Sequence, residues 1–224
     1  MKQRLKSFVK KYSGFLSYIY YIFMNNKVKG GRGNTITKRN VFLRDMRMNF
    51  TGKDNIVILG GEKPSALRNC HIEIHGSGHK IIIEGGVGAK DLTIYCADEN
   101  CCVHVKEDTQ FAGRTELAVM EGTKIEVGRD CLFSANITLR AGDSHSVIDA
   151  ETGIRINKSK DIIIGDHVWI GNTVIVTKGT VIGSHSLVAT GAVVTGKTFP
   201  ENSALGGNPA KVVKEGVNWK AEKI

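Results

Sequence analysis

Residues 164–199 run IGDHVW, IGNTVI, VTKGTV, IGSHSL, VATGAV, VTGKTF, six units of six residues without a break. The first position holds Ile164, Ile170, Val176, Ile182, Val188 and Val194, all β-branched aliphatics. The second is small or turn-tolerant (Gly165, Gly171, Thr177, Gly183, Ala189, Thr195), and the fifth is compact (Val168, Val174, Thr180, Ser186, Ala192, Thr198). A helical period of 3.6 would spread these aliphatics around the axis, and one long strand would need a period of two. A hexad instead suits short flat strands joined by tight turns. Three hexads close a coil of about 18 residues, so Ile164 should stack on Ile182. The spacing therefore predicts an all-β parallel β-helix, in which each coil buries its apolar column against its neighbours.

Upstream, VGRDCL and FSANIT continue the pattern from Val127, and Leu139 begins a third unit before the register breaks. AGDSHSVIDAETGIRINKSK then runs to Asp161, polar and turn-rich, and the hexads resume at Ile164. A loop of about twenty residues inside a compact repeat marks a place for chemistry. Residues 28–127 repeat less cleanly. LRDMRMNF from Leu43 aligns with LRNCHIEI from Leu67, matching Met48 to Ile72, Phe50 to Ile74 and Gly52 to Gly76; one inserted residue then sets Ile56–Ile58 against Ile81–Ile83. Further strands are predicted at Leu92–Tyr95, Val103–Val105, Leu117–Met120 and Ile125–Val127, all in irregular coils of the same helix. After Pro200 and Asn202 the pattern stops. Gly206-Gly207-Asn208-Pro209 signals a turn, followed by a basic tail of one or two helical turns. The chain thus divides into an N-terminal segment (1–27), a β-helix (28–205) with its loop insertion at 141–161, and a capping tail (206–224).

Twenty-six glycines against three prolines suit a chain of tight turns and closely stacked backbones. The net charge of +9 points to an anionic partner such as a phosphate-bearing ligand, an acidic polymer or anionic lipid. Nucleic acid lacks support, since no recognition helix or aromatic-interleaved motif is present. Five cysteines (Cys70, Cys96, Cys101, Cys102, Cys131) are an odd number without CxxC spacing. That argues against a disulfide framework or a structural zinc, and for a reducing cytosol. Cys131 falls at a compact inward position. Met1–Lys11 carries five Lys/Arg and is followed by FLSYIYYIFM at Phe15–Met24. Ten apolar residues are too few to span a bilayer, which takes ~20, and no small-residue cleavage site follows. Two readings stand: a capping helix over the open first coil, or a basic amphipathic segment (1–24) touching the inner membrane surface.

The hexads, the run IGSHSLVATGAVVTGKTFPENSALGGNPAKVVK and the upstream DSHSVID resemble the hexapeptide-repeat, left-handed β-helix acyltransferases. Within them the likeness is to O-acetyltransferases that modify capsular and other surface polysaccharides. The resemblance implies acetyl-CoA as donor, no metal, a cytoplasmic enzyme, and a homotrimer with each site between coils of neighbouring subunits. It also singles out His145, in DSHS and 24 residues before Trp169 in HVWIG. Acyl transfer from a thioester to a sugar hydroxyl needs a base of near-neutral pKa, and histidine suits it. Asp143 could orient the imidazole; Asp149, Glu126 or a backbone carbonyl could do so instead. Trp169, at an outward position, lines the acceptor or pantetheine channel by resemblance. Asn136 is an acceptor contact or a plain turn former.

For the donor, the backbone of Thr190-Gly191-Ala192 can receive the pantetheine arm, and the resemblance places Lys211, in GNPAKVVK, near the nucleotide phosphates, with Lys197 and Lys214 as weaker candidates. His167 and His185 should stack as a pair, too few for a three-histidine zinc site, and His71, His75 and His79 lie on strands where i, i+4 spacing brings nothing together. The function implied is acetyl transfer to a sugar hydroxyl by direct attack, with His145 as general base. Alternatives are N-acetyl transfer to a nucleotide-linked amino sugar and a non-catalytic β-helix scaffold.

Overall fold

A computed structural model describes residues 14–222. Short strands stack into a three-sided prism, the parallel β-helix that the hexads predict, of the left-handed kind that the resemblance implies. An eight-stranded sheet forms face one: Lys27–Lys29, Arg47–Phe50, His71–Ile74, Leu92–Cys96, Thr115–Val119, Ile137–Arg140, Ile175–Thr177 and Val193–Val194. A fifteen-stranded sheet forms faces two and three, turning a corner through the long strand Ile56–Arg68. Among the described strands all ladders are parallel apart from the C-terminal hairpin.

The first hexad positions build the core. Ile164 pairs with Ile182, Phe133 with Ile170 and then Val188, and Leu139 with Val176 and then Val194. All are buried. Each such aliphatic contributes about 1.5–3 kcal/mol on leaving water. Polar ladders fill the corners between the columns. In the early coils Asn55 Nδ2 donates to Asn34 Oδ1 at 2.9 Å, His79 N–H to Asn55 Oδ1 at 2.9 Å, and Cys101 N–H to His79 Nδ1 at 3.1 Å. Burial holds His79 below the usual histidine range, so it serves as a neutral acceptor. Cys131 plays the same part lower down, its Sγ taking the Val168 N–H at 3.4 Å. All five cysteines are free, and burial pushes the thiols of Cys70 and Cys131 up to about 11 and about 12.

Coil length falls along the axis. Coil-to-coil hydrogen bonds join residues 24 or 22 apart in the early part, 37 apart across the loop, 18 apart in the hexads and 17 apart at the end. The last value corrects the sixth hexad. Val181 pairs with Thr198 and Ile182 with Phe199, so Phe199 is buried and Thr198, expected inside, is exposed. One residue is missing from the turn between them. The early duplication also needs adjusting. Leu43 pairs with Leu67, Met48 with Ile72 and Phe50 with Ile74 as expected, but Val57, Ile58 and Leu59 pair with Ile81, Ile82 and Ile83 with no insertion. Strand alternation decides it, because Val57 and Leu59 point inward while Ile56 is 39% exposed.

The tail is not helical. Ser203–Gly207 and Ala210–Glu215 form an antiparallel hairpin, which covers the edge of face three and spans the expected boundary at 205/206. At the other end residues 14–23 are helical. Ser17 is buried there, Tyr21 packs on the core, and Asn26 Nδ2 ties the helix end to the first coil by donating to Tyr21 O and Leu43 O at 3.0 and 2.9 Å. The expected basic stretch Met1–Lys11 lies outside the described residues.

Backbone stacking sets what the second hexad position accepts. A Cβ on Gly183 would lie 2.3 Å from the Glu201 nitrogen, whereas one on Gly206 would meet Ala189 Cβ at 3.6 Å. Gly183→Ala should therefore cost about 1–3 kcal/mol, lowering Tm by roughly 2–4 °C per kcal/mol. Gly206→Ala should unfold close to wild type, and equal melting of the two variants in calorimetry would contradict this packing.

Candidate functional site

Where the prism is interrupted, the chain builds a cleft. Period-two alternation turns Thr93 and Tyr95, then Glu116, then Arg140 outward from three successive strands of face one, with Tyr95 and Arg140 both in register with Ala118. The loop that leaves Arg140 folds back over these side chains. The cleft of about 410 Å³ between them is lined on the loop side by Asp143, Ser144, His145, Ser146 and Arg155. His145 is exposed at this cleft, and among the described residues its imidazole has no hydrogen-bond partner, leaving both ring nitrogens open to a ligand.

A buried amide holds the loop in place. Residues 147–156 form a small hairpin, with Ile156 N–H donating to Val147 O and Asp149 N–H to Ile154 O. Asn157, only 9% exposed at its base, reaches both arms. Its Nδ2 donates to His145 O and to Asp143 Oδ2, each at 2.8 Å, and its Oδ1 accepts from Val147 N–H at 2.8 Å and Arg155 Nε at 3.0 Å. Two ion pairs flank it. Lys178 donates to Asp143 and also to Asn157 O at 2.8 Å. Arg155 pairs with Glu121, whose Oε2 accepts from the Ser159 hydroxyl at 2.6 Å and its N–H at 3.0 Å. Arg140 reaches Ser144 Oγ at 2.7 Å but Glu116 only at 3.5 Å, so its charge is loosely held.

This geometry redistributes the residues chosen from sequence. Asp143 lines the same cleft as His145, yet its carboxylate is engaged by Lys178 and Asn157 rather than by the imidazole. Lys178, then Asn157, hold it below the usual carboxylate range. Asp149 caps its own turn through Thr152 and Glu151, and Glu126 pairs with Lys106 at 2.6 Å, so neither orients His145. Trp169 starts the face-three strand Trp169–Ile170 and is 39% exposed as expected, but it stands away from the His145 cleft. Its Nε1 donates to Ser134 Oγ at 3.2 Å, and its ring lies 6.2 Å from that of Trp219.

Asn136 is exposed with φ +57°, a corner residue in the left-handed region. Below it, the Gly191 N–H and both backbone groups of Ala192 are already bonded to neighbouring backbone. That narrows the rail expected at Thr190–Ala192 to the Thr190 N–H and the carbonyls of Thr190 and Gly191, which have no backbone partner among the described residues. Lys197, Lys211 and Lys214 are exposed, with no ion pair among the described residues. His167 and His185 do approach, at 5.6 Å between ring centroids.

Sequence reasoning missed Arg140, Asn157, Arg155 and Lys178, although outward alternation marked Arg140. It also missed Trp219. The tail returns this residue to stack on His167 at 4.4 Å, with its Nε1 donating to His167 O at 2.8 Å. No local signal announces that contact.

No family model matches the sequence. The chain is 31% identical over 191 residues to the polysialic acid O-acetyltransferase of Neisseria meningitidis, covering 84% of this chain and 86% of the relative. It is 36% identical over 110 residues to the polysialic acid O-acetyltransferase of Escherichia coli O1:K1, spanning 47% of this chain but 36% of that longer relative. Among solved structures, the polysialic acid O-acetyltransferase OatWY superposes with a TM-score of 0.82 at 28% identity, over 88% of this chain and 92% of the other. The polysialic-acid-specific acetyltransferase NeuO superposes at 0.76 and 25% identity, over 88% of this chain and 81% of the other.

The loop's anchors carry a pH dependence. Arg155 first, then Ser159, draw the Glu121 carboxyl down to about 2 from an ordinary 4.5. A depressed carboxyl adds stability that is complete above the unfolded value and is lost as pH falls through the folded one. Amide protection of residues 143–159 should therefore decline as pH drops from 4.5 towards 2, and Glu121→Gln should remove that step in hydrogen exchange. Asn157→Ala leaves the polar groups of both arms unpaired, at about 1–3 kcal/mol. Loss of protection at Val147 without global unfolding is the expected reading, and unchanged protection would contradict it.

Proposed function

The chain belongs to the hexapeptide-repeat acetyltransferases, among the polysialic acid O-acetyltransferases, and from that premise we propose that His145 is the general base of acetyl transfer from acetyl-CoA to a sugar hydroxyl. The reading rests on one observation above all: an imidazole with no partner among the described residues, held by its own backbone carbonyl at a polar cleft. Either ring nitrogen, unprotonated, takes the proton of the acceptor hydroxyl as that oxygen attacks the thioester carbonyl. The tetrahedral oxyanion collapses, the C–S bond breaks, and the proton passes from the imidazolium to the departing thiolate. Hydroxyl and thioester become ester and thiol, with no covalent enzyme intermediate.

The acceptor proposed is a surface polysaccharide with acidic sugars, a reading supported by relatives named for polysialic acid. Support comes from Arg140, whose loose hold on Glu116 leaves a cation for a carboxylate inside the cleft. Asp143 and Lys178 then serve to place the loop. The donor would lie along the later coils, with Lys197, Lys211 and Lys214 towards its phosphates.

A homotrimer belongs to the same proposal. His145 and Trp169 sit on different sides of one prism, and a neighbouring copy would bring one to the other. The loop hairpin also exposes Val147, Ile148, Ile154 and Ile156, each more than half exposed and fit to be covered by a second coil. The enzyme is placed in the cytoplasm, where acetyl-CoA is made.

His145→Ala should lower kcat by about 10²–10⁴-fold with an unchanged melting temperature. Near-normal acetylation of an acidic polysaccharide by the folded variant would remove His145 from this role. Sedimentation at micromolar protein should give a trimer, and Ile148→Asp with Ile154→Asp should shift the mass towards the monomer.

A further inference from the structure

The positive charge of this chain is not spread over it. Residues 1–44 hold eleven of the thirty-one Lys/Arg and none of the twenty-two Asp/Glu, so the remaining residues are close to neutral. In the described part, Lys27, Lys29, Arg32, Lys38 and Arg39 are exposed on the first coil and make no ion pair among the described residues. Lys38 instead rests its ammonium over the Tyr21 ring at 3.5 Å. The same end of the prism carries the helix at 14–23, and only one side of that helix is used for capping. Phe15, Tyr18, Ile22 and Phe23 are 60–76% exposed, and Ile19 is 37% exposed. Beside them Leu16, Ile19, Tyr20, Phe23, Met24 and Phe42 line an open apolar groove of about 560 Å³.

We infer that this end of the prism docks on the surface of an anionic lipid bilayer. The two properties have to be met together. A second copy placed end-on would cover the aromatics but would set one cationic end against another. A soluble polyanion would neutralise the charge but leave Phe15 and Phe23 in water. A bilayer with acidic headgroups satisfies both, because apolar side chains enter the headgroup boundary while Lys and Arg meet the phosphates. Tyr18 and Tyr20 suit that boundary, being apolar in body and polar at the tip. Contact is peripheral, since no helix among the described residues is long and apolar enough to cross a membrane. The His145 loop follows the sixth strand of face one, so a strand spacing of ~4.8 Å holds it about 24 Å from the first strand, clear of the lipid and facing polymer near the surface. The inference rests on the N-terminal end alone and does not require His145 to be the base.

The test is co-sedimentation of the full chain with vesicles of phosphatidylcholine alone, and of phosphatidylcholine with phosphatidylglycerol. Binding is expected to the anionic vesicles only and should fall as salt rises. Phe15→Ser with Phe23→Ser, and separately Lys27→Glu with Arg39→Glu, should each weaken it at least about tenfold. All four side chains are exposed, so acetylation of a soluble acceptor should continue in both variants; this control separates failure of docking from failure of the enzyme. Equal binding to neutral vesicles, or no binding to either, overturns the inference. So does unchanged vesicle binding by the Phe15→Ser, Phe23→Ser variant, or a fall in its mass in solution (a subunit contact).

Discussion

Each coil of this protein receives its backbone hydrogen bonds from the coils above and below, and every other feature has to respect that ladder. The N–H of Gly165 donates to Ile182 O and that of Gly183 to Phe199 O, so a corner residue in one coil lies directly against the next. Small residues at the second hexad position follow from this contact. So do the buried acceptors Asn55, His79 and Cys131, which satisfy corner N–H groups that no strand partner can reach. Coils of different lengths remain compatible because extra residues are absorbed at corners while the inward columns stay in register.

The same rule explains where a loop can be inserted. Between Arg140 and Asp161 the chain leaves the ladder at the corner of faces one and two and rejoins it without disturbing the columns on either side, as the pairs Leu139–Val176 and Val127–Ile164 attest. Outside the ladder the loop needs its own support. Asn157 supplies it from a nearly buried position, with the Asp143–Lys178 and Glu121–Arg155 pairs as side anchors. A rigid prism with a locally braced excursion holds an imidazole at a fixed place on an otherwise regular surface. Helix and hairpin close the two ends of the stack, and the N-terminal closure leaves apolar and cationic side chains facing outward.

Much of this was legible in advance because it is local. The alternation of Ile and Val reports directly which side chains face in, and a fixed coil length turns that into stacking partners. The departures are instructive. The sixth hexad looked intact, yet a single missing residue moved Phe199 inside in place of Thr198, since a turn can shorten while the aliphatic pattern still appears to continue. The tail looked like helical turns, but the open edge of face three offered hydrogen bonds that a strand could satisfy and a helix could not.

The sequence by itself determined the repeat, the β-helix that it builds, the inward columns and the place of the interruption that carries His145. These depend on period and on residue chemistry within a few positions. Only the tertiary structure decided that Asp143 serves Lys178 and Asn157 instead of the imidazole, that Arg140 and Tyr95 form the floor opposite His145, that Trp169 stands apart from it, and that Trp219 returns to His167. Those contacts join residues from different coils or across 35 or 52 positions of chain. Their partners are chosen by which polar groups the folded backbone leaves unsatisfied, a quantity that exists only once the coils have stacked.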